Sequence, residues 1–340
     1  MTARAFITGV SGTEIIPDER AFLREALPWG LILFKRNIQD KPQVARLVAD
    51  FAEIVGVAHP PVLIDQEGGR VQRLGPPHWP AYPPGAIYSD LYDRSPETGL
   101  LAARLGARLI AADLLELGIT VDCLPLADVP VKGADQVIGD RAYGTEPGKV
   151  AAIAAAIADG LREGGVLPVL KHIPGHGRAN ADSHERLPVV NADRATLETS
   201  DFAAFRPLSG LPLAMTAHVV FSAIDPVRPA TTSATMISQV IRGFIGFDGL
   251  LMSDDISMGA LSGSIAERTR SSLTAGCDVV LHCNGKLEEM QAVASEAPEL
   301  SGEAGRRAEA ALAGRVPPTD IDLEATRREF ARLVAAQVTS

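Results

Sequence analysis

The chain is short of the features that mark several classes of protein. It holds three cysteines in 340 residues, Cys123, Cys277 and Cys283. That odd and sparse set excludes a disulfide framework and reads as reduced thiols. No segment approaches the roughly 18 uninterrupted apolar residues of a transmembrane helix. The N-terminal stretch Met1-Thr-Ala-Arg-Ala-Phe-Ile-Thr-Gly9 reaches glycine before an apolar run of signal-peptide length develops. There is no basic tract either. Lys and Arg total 32 against 42 Asp and Glu, a formal net charge of −10, which leaves no footprint for nucleic acid. No HExxH motif and no closely spaced cysteine pair occurs, so no metal and no cofactor is expected. These absences predict a cytoplasmic protein that engages neither membrane nor nucleic acid. With no coiled-coil heptad in view, a monomer is expected.

What is present is a chain with 46% hydrophobic and 22% charged residues, the composition of a large globular core. Eight short runs rich in branched residues read as strands: 5–10, 30–34, 61–65, 119–124, 166–172, 213–218, 249–254 and 278–283. Their near-continuous hydrophobicity suits parallel strands covered on both faces. Stretches of 3.6-residue periodicity lie between them, at 17–27, 41–55, 97–117, 147–163, 195–208, 234–244 and 266–275, with a further one at 286–297. Strand and helix alternating eight times predict an α/β chain folded as a single (β/α)₈ barrel of TIM type. Residues 1–340 read as one catalytic domain, and 302–340 as a helical extension packed on its outside.

Barrel active sites gather at the C-terminal ends of the strands, and those positions are rich in ionisable residues here. The third strand runs into Asp65-Gln-Glu-Gly-Gly-Arg-Val-Gln-Arg73, and the fourth reaches Asp122 and then Asp128. The fifth ends in Lys171-His-Ile-Pro-Gly-His-Gly177, followed by Asp182-Ser-His184. The sixth ends at His218 and the seventh in Ser253-Asp-Asp255. Plainer roles stand beside the functional ones. Asp65 and Asp254 are also candidate helix caps, Glu67 a carboxylate accepting loop amides, and Arg70 and Arg73 partners for nearby acids. His218 is a candidate packed core imidazole, and Asp182 the acceptor of an Asx turn. A buried Lys171 requires a carboxylate or a ligand. Asp254 and Asp255 point to opposite faces of their strand, and the sequence leaves open which one meets the pocket.

Taken together, the third-strand motif, Val137-Ile-Gly-Asp-Arg141, Lys171–Gly177 with Asp182-Ser-His184, and Gly246–Met258 resemble the family 3 glycoside hydrolases, specifically their β-N-acetylhexosaminidase branch. The resemblance runs in order to about residue 290. It implies retaining hydrolysis of terminal β-linked N-acetylglucosamine, with a muropeptide as the small-molecule partner. It further implies Asp254 as nucleophile, His184 oriented by Asp182 as acid/base, and Asp65, Arg73, Arg141, Lys171 and His172 as substrate-binding residues. The loop over 175–184, with two glycines and small residues, is expected to move. Departures are small: Ile173 stands where phenylalanine is common, Asp140-Arg-Ala-Tyr143 replaces a more usual Arg-Ser-Phe run, and Cys283-Asn-Gly285 lacks an acidic residue close behind it. A phosphorolytic variant and a silent sugar binder remain open.

Overall fold

A computed structural model describes residues 3–335, so Met1, Thr2 and the last five residues of the expected C-terminal extension lie outside the described residues. Eight parallel strands close into a barrel: β1 (Arg4–Thr8), β2 (Pro28–Leu33), β3 (Val62–Ile64), β4 (Val121–Asp122), β5 (Leu167–Ile173), β6 (Leu213–Thr216), β7 (Leu250–Asp255) and β8 (Val279–His282). Each pairs with its neighbours in chain order, and β8 returns to β1 through Phe6 opposite Val280 and Thr8 opposite His282. The expected barrel is the one observed.

Alternation along the strands builds two layers. Ile7, Ile32, Leu63, Val121, Val169, Met215, Met252 and Leu281 fill the interior as one buried cluster. Their neighbours Leu31, Leu33, Ile64, Leu170 and Leu251 face outward into the larger cluster shared with the helices. The helices of the described residues are α1 (Pro17–Ala26), α2 (Lys41–Val55), α3 (Gly85–Arg94), α4 (Pro96–Leu115), α5 (Pro147–Glu163), α6 (Arg194–Thr199), α7 (Ile265–Ala275), α8 (Leu287–Glu296), α9 (Gly302–Ala313) and α10 (Leu323–Ala335). Local chemistry sets their ends. Asp40 caps α2 by accepting from the Gln43 amide, and Ser264 and Glu267 form a reciprocal capping box on α7.

The C-terminal helices pack on the outside of the barrel. Ala308 and Ala311 of α9, with Leu300 before it, join the interior cluster beside Ala5 and Trp29, which closes the N-terminal end of the barrel. Arg307 fixes that helix to Asp278 at 3.1 Å and Asp248 at 2.8 Å. Phe330 and Leu333 of α10 join the outer cluster alongside α4.

Three segments differ from the sequence reading. The helix expected over 195–208 ends at Thr199, and only a 3₁₀ turn, Arg206–Leu208, follows. Ser200 turns its hydroxyl back onto the Thr196 carbonyl, and the buried Asp201 is drawn away by Arg178 at 2.8 Å. The segment expected over 234–244 is helical from Met236 to Phe244 with π-type bonding, as in Ile245 N–H to the Val240 carbonyl. Helix α3 was not anticipated.

Candidate active site

The strand alternation continues past the apolar core to the barrel mouth. Two residues beyond inward-facing Leu63, Val169 and Met252 stand Asp65, Lys171 and Asp254, so the same pleat that fills the interior delivers three charged groups to one opening. Asp255 falls on the other parity. Its carboxylate accepts from the Ser257 amide at 3.0 Å, the Ser257 hydroxyl at 2.6 Å and the Cys283 amide at 3.1 Å. It is thereby committed to the loop after β7 and to the end of β8, which answers the question left open between the two aspartates.

Lys171 is 1% exposed and cannot remain charged there unpaired. Its Nζ lies 2.9 Å from Asp65 and 2.6 Å from Glu67. Arg73 meets Asp65 at 3.0 Å and stacks over the Phe34 ring. Arg141, placed by the 3₁₀ turn Gly139–Arg141, grips Glu67 through two bonds of 2.8 Å and also donates to the Val137 carbonyl. Burial works to raise the pKa of both carboxyls, and the neighbouring cations outweigh it. Asp65 is held well below the usual carboxylate range by Lys171 and Arg73, and Glu67 at about 2 by Arg141 and Lys171. Glu67 therefore does not serve loop amides, as the sequence suggested; it is the hub of two buried cations. The loop that carries it fits because Gly68 has φ +93° and no side chain, where a Cβ would sit 2.3 Å from the Pro83 carbonyl.

Below this network lies Asp122, fully buried, with one oxygen accepting from the Gln66 amide at 3.0 Å. Burial pushes its pKa well above the usual carboxylate value against the pull of that amide and Lys171. Asp128, equally buried, accepts from His172 Nδ1 at 2.7 Å and from the His176 amide at 2.6 Å. Burial opposes its ionisation, but His172 and those bonds hold it at about 2. His172 is thus fixed through Nδ1.

Asp254 stands partly open at the mouth. Its Oδ1 accepts from the Asp255 amide at 2.8 Å. Burial works to raise its pKa, yet the fields of His218, His172 and His184 and that amide together lower it. The carboxylate is ionised at neutral pH. His218 itself is a packed imidazole, bonded to the Thr231 hydroxyl at 2.7 Å and the Asp255 carbonyl at 3.0 Å.

The loop after β5 brings the remaining pair. Asp182 Oδ1 accepts from both the His184 amide, at 2.9 Å, and His184 Nδ1, at 2.7 Å. The turn reading and the dyad reading are the same arrangement, because one oxygen serves the backbone and the ring. The His184 side chain is 68% exposed, so with Nδ1 committed, Nε2 is the open edge. This loop is docked: its Ser183 and His184 carbonyls accept from the Ala260 and Gly259 amides of the segment after β7. Sequence reasoning did not assign Glu67, Asp128 or His176 to the site. The only available signal was their position just past strand ends, which does not distinguish a partner of the site from a member of it. The Asn284 side-chain amide donates to Glu289, five residues on, at 2.6 Å.

A carboxylate at the mouth of a closed parallel barrel, within the electrostatic reach of a carboxylate-oriented imidazole, is an arrangement suited to acid/base-assisted hydrolysis. The sequence profile described as Glycosyl hydrolase family 3 N terminal domain matches residues 10–313, and the chain belongs to that family of glycoside hydrolases. It is 41% identical over 284 residues to a β-hexosaminidase of Alkalilimnicola ehrlichii, spanning 81% of this chain and 79% of that one. It is 36% identical over 338 residues to a β-hexosaminidase of Aromatoleum aromaticum, spanning 97% and 93%. Among solved structures, NagZ of Neisseria gonorrhoeae in complex with N-trifluoroacetyl-D-glucosamine superposes with a TM-score of 0.85 at 30% identity, covering 99% of this chain and 97% of that one.

Proposed function

We propose that the protein is a retaining exo-β-N-acetylglucosaminidase that removes terminal β-linked N-acetylglucosamine. Its natural substrate in this reading is N-acetylglucosaminyl-1,6-anhydro-N-acetylmuramic acid, with or without stem peptide, as in peptidoglycan recycling in the cytoplasm, and it works as a monomer. What supports the reading is that the Asp254 carboxylate stands within the electrostatic reach of His184, whose Nδ1 is bonded to Asp182. The names of the relatives and of the superposed sugar complex support the choice of sugar.

Asp254 attacks the anomeric carbon while His184 Nε2–H protonates the departing glycosidic oxygen, leaving a glycosyl ester on Asp254 and a neutral imidazole. The imidazole then takes a proton from water as that water attacks the anomeric carbon, which frees the sugar with retained configuration and restores both groups. Asp182 holds the ring in one orientation, with Nδ1 committed and Nε2 free to exchange the proton. A neutral imidazole also adds no second negative charge beside the glycosyl ester. Asp65 accepts from sugar hydroxyls, and Lys171, Arg73, Arg141 and His172 hold the ring and the acetamido group. The loop over 175–184 opens for entry of the substrate and closes to bring the dyad in.

The deciding experiment is release of p-nitrophenol from its β-N-acetylglucosaminide without added phosphate or metal, for wild type and Asp254→Asn, with the first-formed anomer read by NMR. Turnover to the β-anomer that collapses in the variant is the expected result. Turnover only with phosphate would make the enzyme a phosphorylase, and equal turnover in both proteins would remove Asp254 from the mechanism.

A further inference from the structure

His176 is a buried imidazole that none of the steps above uses. It is 3% exposed, and its Nε2 lies 3.0 Å from the hydroxyl of Ser183, itself 2% exposed. Ser183 is the residue between Asp182 and His184. The His176 amide is anchored on Asp128, the same carboxylate that fixes His172, and the two rings meet edge to face at 5.8 Å. On its other side the dyad loop meets the segment after β7 through backbone hydrogen bonds. The Ser183 and His184 carbonyls accept from the Ala260 and Gly259 amides at 3.1 and 3.2 Å. That approach requires Gly259, since a Cβ there would lie 2.9 Å from both the His184 and Glu185 carbonyls.

We propose that His176 is a positioning residue that locks the dyad loop in its working place, through the Ser183 hydroxyl, for proton transfer by His184. The proposal rests on the dyad being the acid/base. Several observations converge on it. Among the described residues exposed His184 hydrogen-bonds through its side chain to Asp182 alone, so its direction is inherited from the backbone on either side. Ser183 is the one dyad-loop side chain adjacent to both members of the pair, and it reaches back to a group rooted in the barrel. Burial, helped by the neighbouring His172 ring, holds His176 at about 4. Its imidazole is therefore neutral through the working range and brings no second charge near Asp254. The lock also has a fixed base: Asp128 ties it to the strand end that carries His172, so the sugar-binding and proton-transferring sides of the site share one buried anchor.

A misplaced acid matters most when the departing oxygen needs a proton and least when the leaving group departs unaided. The test compares two substrates, a disaccharide with a β-N-acetylglucosaminyl bond and the 2,4-dinitrophenyl glycoside. The proteins are wild type and the His184→Ala, Ser183→Ala, Ser183→Thr, His176→Phe and Ser183→Ala/His176→Phe variants. His184→Ala must lose far more on the disaccharide than on the dinitrophenyl glycoside; without that difference the dyad reading fails, independently of the lock. Given it, Ser183→Ala and His176→Phe are each expected to lose roughly tenfold or more in kcat/KM on the disaccharide. The loss on the dinitrophenyl glycoside should be only a fewfold, and Ser183→Thr, which keeps the hydroxyl, should recover. The double variant should be no worse than the poorer single one, because one contact has been removed twice. Hydrogen exchange of the 178–187 peptide should quicken in Ser183→Ala while the barrel strands stay protected. Equal losses on both substrates, multiplying losses in the double variant, or Ser183→Ala indistinguishable from wild type would each overturn the lock.

Discussion

Asp254 and Asp255 adjoin along β7, yet one carboxylate opens on the barrel mouth while the other is spent on Ser257 and the Cys283 amide. The two therefore divide function and stability between them. Asp254→Asn is expected to lower kcat by about 10³-fold or more at nearly unchanged melting temperature. Asp255→Asn is expected to lose about 1–3 kcal/mol of stability, because an amide must replace a carboxyl group that accepts three bonds. Steady-state kinetics and thermal melts on the two variants check the division; the reverse pattern would exchange the assignments.

The buried charges between β3 and β5 cannot be removed singly without cost. Lys171→Met leaves Asp65 and Glu67 without the ammonium they share. Destabilisation of about 3–5 kcal/mol is expected, together with a raised KM. A denaturant titration checks the first and kinetics on the soluble fraction the second. A loss below about 1 kcal/mol would show that water reaches the pair.

His176 makes stability depend on pH with a definite sign. Its folded pKa, about 4, lies below the ordinary 6.5, so the unfolded chain binds the extra proton first. The stability it supports is complete above about pH 6.5 and is lost as pH falls through that value towards 4, with a limiting slope of about 1.4 kcal/mol per pH unit. Unfolding free energies of wild type and His176→Phe should converge over this window as pH falls. Parallel curves would count against a buried neutral ring.

The C-terminal helix α10 reaches the loop after β3 through the side chains of Arg327, Asp113 and Tyr82. Arg327 pairs with Asp113 at 2.7 Å, and Asp113 accepts from the Tyr82 hydroxyl at 2.6 Å. The Tyr82 carbonyl in turn accepts from the Gly69 amide, beside Glu67. Arg327→Leu is expected to raise KM several-fold with kcat within about twofold, because it loosens the cradle and leaves the dyad alone. A kcat loss with KM unchanged would break that chain of contacts.

The sequence by itself determined the barrel and the contents of its mouth. Eight apolar runs specify the strands, and their ends set Asp65, Lys171 and one of the two acids Asp254 and Asp255 on the mouth. The Asp182–His184 pairing was legible for the same reason: a two-residue spacing is short enough for local geometry to close. What tertiary structure decided depends on residues far apart in the chain. Asp255 and Asp254 are equivalent acids until the Cys283 amide, 28 residues on, claims one of them. Glu67 reads as a loop carboxylate until Lys171 and Arg141 converge on it, and Asp128 and His176 are unremarkable until the fold buries them behind the dyad loop. The helix expected over 195–208 stops early because Arg178 takes Asp201. Local pattern fixes direction and face, whereas the charge state and partner of a buried group are set by whichever distant residues the closed barrel brings to it.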